Sequence, residues 1–192
     1  MLIILIMHRI LANLLNIFDN AEEIYERYIN DQRPRILEIS FGFGINTYIL
    51  LKRVSLLNGL LVSIDIDSTL LRIGEKIFRK YIRSELLRLE KADATSLPYE
   101  DNYFDYVVSH MTLHHIDNVS KSVREMMRVL RVGGKLIIID LVPNTFYSMI
   151  PGHDRDILKR SRDEALREVS ENMEIIHSEE NKYVYTIVAL KR

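Results

Sequence analysis

The chain has 192 residues, of which 47% are hydrophobic, so we expect one folded domain with a substantial core over residues 1–192. Its formal net charge of −1 excludes a strong overall field that would attract nucleic acid or acidic membranes, so nucleic acid is disfavoured as a partner. The sequence contains no cysteine, which excludes disulfide bonds, thiolate metal ligands and thiol catalysis.

The first part of the chain, 1–33, is predicted to form N-terminal helices that pack on the body or at a dimer contact. An amphipathic pattern covers 8–18, and Asp19 with Glu22 matches a capping box that opens a second helix. The apolar start is shorter than the roughly 20 residues of a membrane span, and no basic stretch precedes it as in a signal peptide. We therefore expect a cytoplasmic protein with no membrane span, and a homodimer is one option.

Strands and helices alternate through the rest of the chain, which argues for an α/β fold with a doubly wound, mostly parallel sheet. The predicted strands are 35–40, 60–65, 86–91, 103–109 and 135–142, and the predicted helices are 44–56, 67–83, 118–130 and 154–169. Gly133 and Gly134 are expected to stop the helix that precedes them. The segments 173–178 and 183–190 flank a turn and predict an antiparallel C-terminal hairpin.

A glycine-containing turn follows the first strand. An apolar run leads into Glu38, and Gly42 and Gly44 follow at the start of a predicted helix. A dinucleotide fingerprint needs a third glycine where Thr47 stands, and the Glu38 carboxylate would repel a pyrophosphate, so a nicotinamide dehydrogenase is disfavoured. The carboxylate suits a ligand that carries an ammonium group, and Asp65 at the end of the second strand can accept hydrogen bonds from a ribose.

These residues resemble the first motif of the class I S-adenosylmethionine-dependent methyltransferases, acidic-x-Gly-x-Gly-x-Gly. Glu38, Gly42 and Gly44 match, and Ser40 stands where the family usually has Gly. Further similarity in the segments 91–108, 113–116 and 128–136 points to the small-molecule-like type 11 branch. The resemblance implies a seven-stranded sheet of order 3-2-1-4-5-7-6, with a cofactor-binding core at 34–142 and a helix and closing hairpin at 143–192.

The same resemblance implies S-adenosylmethionine as cofactor and S-adenosylhomocysteine as product. The residues that it assigns to the cofactor are Glu38, Ser40, Gly42, Gly44, Asp65, Ile66, Asp93, Ala94 and Ser109. Asp65 would hold the ribose hydroxyls, Ile66 and Ala94 would lie at the adenine, Asp93 would accept from its amine, and Ser109 would lie near the methionine part. Simpler roles stay open, because Asp93 could cap a loop and Asp65 a helix. We interpret Asp105 as structural.

Three histidines follow the fourth strand, at the place where the acceptor should meet the methyl group. Histidine takes a proton near neutral pH, so His110, by its position, and then His114 are the candidate general bases. A structural role for them is the alternative. We expect no metal site, because His114 and His115 are neighbours that should point apart, and Asp117 alone does not complete one.

The chain lacks a motif that is typical of methyltransferases acting on nitrogen, which narrows the class of methyl acceptor. Enzymes that methylate exocyclic amines often carry Asn/Asp-Pro-Pro-Tyr/Phe where this chain has 109–112, Ser-His-Met-Thr. We therefore predict a small-molecule acceptor, methylated at oxygen or carbon. A protein or RNA methyltransferase is one alternative. A non-catalytic methyltransferase-like binding partner is another, motivated by Ser40 and the bulky Phe41 and Phe43 around the glycines.

A basic stripe lies on the helix that follows the second strand. Its members are Arg72, Lys76, Arg79, Lys80 and Arg83, which share a face at helical spacing. A solvated helix face is the preferred interpretation, because Glu75 and Glu85 lie nearby. RNA binding is the alternative.

Overall fold

A computed structural model describes residues 20–143 and 153–192, and these form a seven-stranded sheet of order β3-β2-β1-β4-β5-β7-β6. The strands are β1 (Arg35–Ile39), β2 (Leu60–Asp65), β3 (Leu87–Lys91), β4 (Phe104–His110), β5 (Leu130–Leu141), β6 (Glu174–Glu180) and β7 (Val184–Leu190). The pairs from β3 to β5 are parallel, whereas β7 is antiparallel to both β5 and β6. The predicted fold and closing hairpin are confirmed.

Helices cover both faces of this sheet. They are α1 (residues 20–28 of the described chain), α2 (Ile45–Leu57), α3 (Ser68–Ile77), α4 (Arg79–Arg83), α5 (Val119–Val129) and α6 (Arg155–Asn172), with a 3₁₀ turn at Leu113–His115. Asp67 caps α3, Asn118 caps α5 and Asp154 caps α6, each accepting a backbone N–H of the first turn. No described helix has the length and apolarity to cross a bilayer. The predicted helix at 8–18 and its neighbour Asp19 lie outside the described residues.

Two apolar layers sandwich the sheet because successive side chains of a strand point to opposite faces. Ile36 and Val108 belong to the layer beneath α1, α2 and α3, whereas Leu37 and Val107 belong to the layer that includes residues of α5 and α6. Both faces are therefore filled, and ligand space is left beyond the carboxyl ends of the strands.

Three predicted element ends are corrected. The helix after β2 does not run unbroken to Arg83, because it is interrupted at Phe78, whose ring packs edge-on against Phe41 with centroids 5.8 Å apart. The fourth strand continues one residue beyond its predicted end and includes His110. The glycines do not stop α5, because that helix ends at Val129 and β5 begins at the next residue.

The glycine pair instead lies inside β5. Gly133 has φ 77, a left-handed conformation that favours glycine, and the pairing of β4 with β5 shifts register beside this pair. A Cβ atom at Gly134 would come within 2.8 Å of the Asp105 carbonyl oxygen. The glycines therefore let the strand bend close to β4.

Asp105 has the structural environment expected for it. One carboxylate oxygen accepts the backbone N–H of Arg35 at 2.7 Å, and the other accepts Nε of Arg131 at 2.5 Å. Arg131 also donates to Asp31. These contacts tie the amino end of β1 to β4 and β5, far from the carboxyl ends of the strands.

Candidate functional site

A cavity of about 450 Å³ opens at the carboxyl ends of β1 and β2, within the range of about 300–1,000 Å³ typical of ligand pockets. Its lining includes Ile39, Ser40, Ile64, Asp65, Ile66, Ala92, Asp93, Ala94, Thr95, Thr112, His115 and Lys121. Strand β1 lies between β2 and β4, where the order of the strands reverses. Open α/β sheets bind their ligands at such switch points.

Three residues of the loop between β1 and α2 have left-handed backbone conformations. Ser40, Gly42 and Gly44 all have positive φ, of 70, 52 and 77 degrees. A Cβ atom at Gly44 would lie 2.7 Å from the Phe78 ring and 2.9 Å from the Phe41 ring, so glycine is required there. Ser40 occupies a conformation that costs an L-residue about 1–2 kcal/mol. This strain is the physical consequence of having Ser where the family motif has Gly.

Asp65 connects this loop to β2. One oxygen of its carboxylate accepts the Gly42 N–H at 2.8 Å and the Ser40 hydroxyl at 3.3 Å. The other oxygen accepts the Asp67 N–H at 2.9 Å. Asp67 rather than Asp65 caps the following helix, so the helix-cap alternative for Asp65 is wrong. Asp65 lines the cavity while it organises the loop.

Glu38 is fully buried beneath the loop and is not among the cavity-lining residues. Asn46 donates to one of its carboxylate oxygens at 2.7 Å, and the Thr47 hydroxyl donates to the other at 2.6 Å. Tyr25 of α1 donates to the Asn46 side-chain oxygen, which extends the network across α2. Burial raises the pKa of Glu38 to about 7, against the opposing effect of these hydrogen bonds. Glu38 therefore ties β1 to α2.

Asp93 and Ala94 lie in the loop after β3, and both line the cavity. The Asp93 carboxylate accepts the Thr95 N–H at 2.7 Å and the Thr95 hydroxyl at 2.9 Å, and these bonds lower its pKa. Asp93 is exposed, so its loop-capping contacts coexist with a position open to a ligand. Ile66 also lines the cavity and is 68% exposed.

Ser109 and His110 point to opposite faces of β4. Ser109 shares the face of Val107, which packs in the same layer as the cavity-lining Ile39. His110 shares the face of Val108, in the other layer, and is only 7% exposed. Burial lowers the pKa of His110 to about 4. The expectation that His110 faces the cavity is therefore corrected, because the strand does not end before it.

His114 is also buried and is not among the cavity-lining residues, whereas His115 lines the cavity. The rings of His114 and His115 do not point apart as expected, because their centroids lie 4.1 Å from each other in the 3₁₀ turn. His153 approaches both rings, and Asp140 contacts His114. Burial and the two neighbouring histidines lower the pKa of His115 to about 4.

Asp140 and His153 were missed from the sequence. A signal existed for Asp140, since it follows the apolar run 136–139 near the end of β5, just as Asp65 ends β2. No local pattern marks His153, which lies far along the chain from the histidines that it meets.

Comparison with known proteins decides the family. A family model described as a methyltransferase domain matches residues 37–138, more than half of the chain. The chain belongs to this family. The class I, type 11 assignment made from the motifs is confirmed, and the cofactor of these methyltransferases is S-adenosylmethionine.

Curated relatives of this methyltransferase chain carry quinone-related names. A ubiquinone/menaquinone biosynthesis C-methyltransferase from Idiomarina loihiensis is 32% identical over 122 residues, which cover 61% of this chain and 48% of that protein. A demethylmenaquinone methyltransferase from Bacteroides fragilis is 30% identical over 116 residues, which cover 59% and 46%. The chain therefore spans about half the length of these relatives.

Solved structures share the methyltransferase fold. A SAM-dependent methyltransferase from Aquifex aeolicus superposes with a TM-score of 0.75 at 19% identity, covering 90% of this chain and 89% of that one. A SAM-dependent methyltransferase from Methanosarcina mazei has a TM-score of 0.69 at 20% identity, covering 88% and 96%. These likenesses support the fold.

Proposed function

We propose that this chain transfers a methyl group from S-adenosylmethionine to a small-molecule acceptor, at carbon in the first instance and at oxygen as the second candidate. The observation that carries the proposal is the cavity at the switch point, with Asp65 and Asp93 on its walls, in a chain of the methyltransferase family. The choice of carbon is supported by the names of the relatives, which include quinone C-methyltransferases.

The residues around the cavity fit the chemical parts of this cofactor. After its three hydrogen bonds, the Asp65 carboxylate keeps one acceptor site for a ribose hydroxyl, and Asp93 presents an exposed carboxylate to the adenine amine. Ile66 and Ala94 offer apolar surface to the adenine ring. The remaining proposed contacts come from Ser40, Gly42, Gly44 and Ser109. Glu38 does not line the cavity, so it would act on the ammonium group in two indirect ways. Its carboxylate would place a negative charge beneath the loop, and its hydrogen bonds would hold the loop in position.

Methyl transfer does not require the protein to form a covalent bond with either reactant. When bound, the cofactor supplies a methyl group on a positively charged sulfur, and the neutral thioether that remains after transfer is a good leaving group. The contribution of this chain is to orient the two reactants and to exclude water. Of the histidines, His115 is better placed than His110 or His114 to contact an acceptor, because it lines the cavity with a neutral ring.

The first test is cofactor binding. S-adenosylhomocysteine should raise the melting temperature by mass action and give a one-to-one calorimetric isotherm, because it binds the folded state. Asp65→Asn should weaken this binding, and Glu22→Gln on the surface of α1 serves as the matched control. An absence of binding at millimolar ligand would contradict the proposal and favour a non-catalytic binding partner.

The second test is methyl transfer. Labelled S-adenosylmethionine should be supplied with reduced quinone rings that lack one ring methyl group, and in parallel with protein and RNA fractions of a cell extract. Label recovered in the small molecule supports the proposal, and label in protein or RNA alone contradicts it. A product that resists ether cleavage by strong acid carries its methyl group on carbon, whereas a cleaved product carries it on oxygen.

A further inference from the structure

Two neighbouring histidines and a third that is distant in sequence meet beside the cavity. The ring centroids of His114 and His115 lie 4.1 Å apart, and the His153 ring lies 4.9 Å from the first and 5.2 Å from the second. One ring nitrogen from each lies within 4.8 Å of the other two. Imidazole nitrogen is a preferred ligand of zinc and related transition metals.

A carboxylate orients the buried member of this cluster. Asp140 lies 2.5 Å from Nδ1 of His114, and its carboxylate also accepts the backbone N–H groups of His114 and Leu141. In this arrangement Nδ1–H of His114 donates to the Asp140 carboxylate, which leaves Nε2 of His114 with a lone pair. A histidine that donates to a carboxylate through one nitrogen while the other binds metal is a recurring arrangement at metal sites.

The Nε2 atom of His114 is an independent indication of a ligand. The side chain is only 2% exposed, and Nε2 has no hydrogen-bond partner among the described residues. Buried polar atoms are paired in most proteins, so an unpaired one needs an explanation. A metal ion at the centre of the histidine cluster would satisfy this lone pair.

We propose that His114, His115 and His153 bind one divalent transition metal ion of the zinc class, with Asp140 as the outer partner of His114. Zn–N distances of about 2.0–2.1 Å in a tetrahedral site place the nitrogens about 3.3 Å apart. Rotation of the rings of exposed His115 and partly buried His153 would bring the nitrogens to this spacing. Three protein ligands leave a fourth position open, as in catalytic zinc sites.

The position of the site indicates which ligand would occupy the open coordination position of the metal ion. His115 belongs both to the cluster and to the cavity lining, so the metal ion lies at the edge of the proposed acceptor space. A hydroxyl-bearing acceptor would bind there through its oxygen, and the metal would lower the pKa of that hydroxyl so that its proton passes to solvent. This acceptor role depends on the proposed function, whereas metal binding does not.

The test is metal binding to the full chain, without an affinity tag and after chelator treatment. Zn²⁺ calorimetry should give one ion per chain, and Co²⁺ should develop the visible absorption of a tetrahedral complex. His115→Ala and His153→Ala should each weaken Zn²⁺ binding by at least about 100-fold, and Asp140→Asn by about 10–100-fold. His177→Ala, on β6, is the control and should bind like wild type.

Folding and cofactor binding are checked separately. Circular dichroism and S-adenosylhomocysteine titration establish that each variant is folded, and exposed His115 is the substitution least expected to disturb the core. Substoichiometric binding to wild type, or equal affinity in the folded His115→Ala variant, overturns the metal site. Stoichiometric metal binding without S-adenosylhomocysteine binding would keep the metal site and count against the proposed function alone.

Discussion

Replacing Glu38 by Gln should make the protein more stable relative to wild type as the pH rises. The Glu38 side chain is fully buried, and its pKa is raised from 4.5 to about 7 chiefly by burial. The folded protein therefore holds this proton more tightly than the unfolded chain, and the contribution of Glu38 to stability falls as the pH rises from about 4.5 through 7. Gln has the same shape and stays neutral throughout.

The magnitude follows from the pKa. One pKa unit corresponds to about 1.4 kcal/mol, so a rise from 4.5 to about 7 corresponds to about 3 kcal/mol. Gln at this position can still accept from Asn46 and can donate to the Thr47 hydroxyl, which accepts as well as donates. The variant should therefore match wild type near pH 4 and exceed its stability by up to about 3 kcal/mol near pH 8.

The assay is urea unfolding of both proteins at several pH values, read as the difference between them. The difference matters because His110 and His115, whose pKa values are lowered to about 4, contribute in the opposite sense. Their contribution is present above their unfolded pKa near 6.5 and is lost as the pH falls toward 4. The control is Glu22→Gln, which breaks the exposed ion pair between Glu22 and Lys52. Its stability relative to wild type should depend much less on pH.

Parallel stability curves for wild type and Glu38→Gln would refute the reasoning, because they would mean that burial does not perturb this carboxyl. The same variant also examines the role of its charge in cofactor binding. If the charge attracts the cofactor ammonium, S-adenosylhomocysteine should bind Glu38→Gln more weakly at pH 8. Unchanged affinity in a folded variant would leave Glu38 with the purely structural role of joining β1 to α2.

Substitutions at three other positions test the contacts of Ser40, Asp65 and Arg128. Ser40→Gly should be as stable as wild type or up to about 1 kcal/mol more stable in thermal melts, because it relieves the left-handed strain, whereas Ser40→Ala should be less stable. Asp65→Asn should cost about 1.5–3 kcal/mol of S-adenosylhomocysteine affinity by calorimetry, and unchanged affinity would move the ribose site elsewhere. Arg128→Lys should lower the free energy of unfolding, measured in urea, by about 1–3 kcal/mol. The reason is that the guanidinium group of Arg128 donates to the backbone carbonyls of Leu97 and Tyr99 and to the Glu125 carboxylate, which a lysine cannot do together. A urea midpoint equal to that of wild type would contradict this prediction.

Most of the fold could be predicted from local sequence patterns. The apolar run that ends in Asp65 and the glycine-containing turn after β1 are short-range signals, so these strands and the switch point could be placed from sequence. Element ends were less secure where tertiary contacts decide them. Helix α5 was expected to stop at glycines, but buried Leu130 joins the sheet directly and the glycines serve a bend in β5.

The candidate site divides in the same way. Ser40, Asp65, Ile66, Asp93 and Ala94 line the cavity as expected, because residues at the carboxyl ends of parallel strands meet at one edge of a sheet. The histidines were harder to place. The face of β4 that His110 occupies depends on where the strand ends, and a difference of one residue reverses the direction of the side chain.

The sequence by itself determined the family, the order of the strands through that resemblance, and the acidic residues Asp65 and Asp93 that line the cavity, because each depends on a short run of neighbouring residues. The tertiary structure alone decided that Glu38 is enclosed with Asn46 and Thr47, and that His153 and Asp140 complete a cluster with His114 and His115. The histidine cluster brings together segments that are far apart in the chain, and the contacts of Glu38 form only because α2 packs back against β1. No local pattern encodes which distant side chains will meet, or how far burial will shift their pKa values.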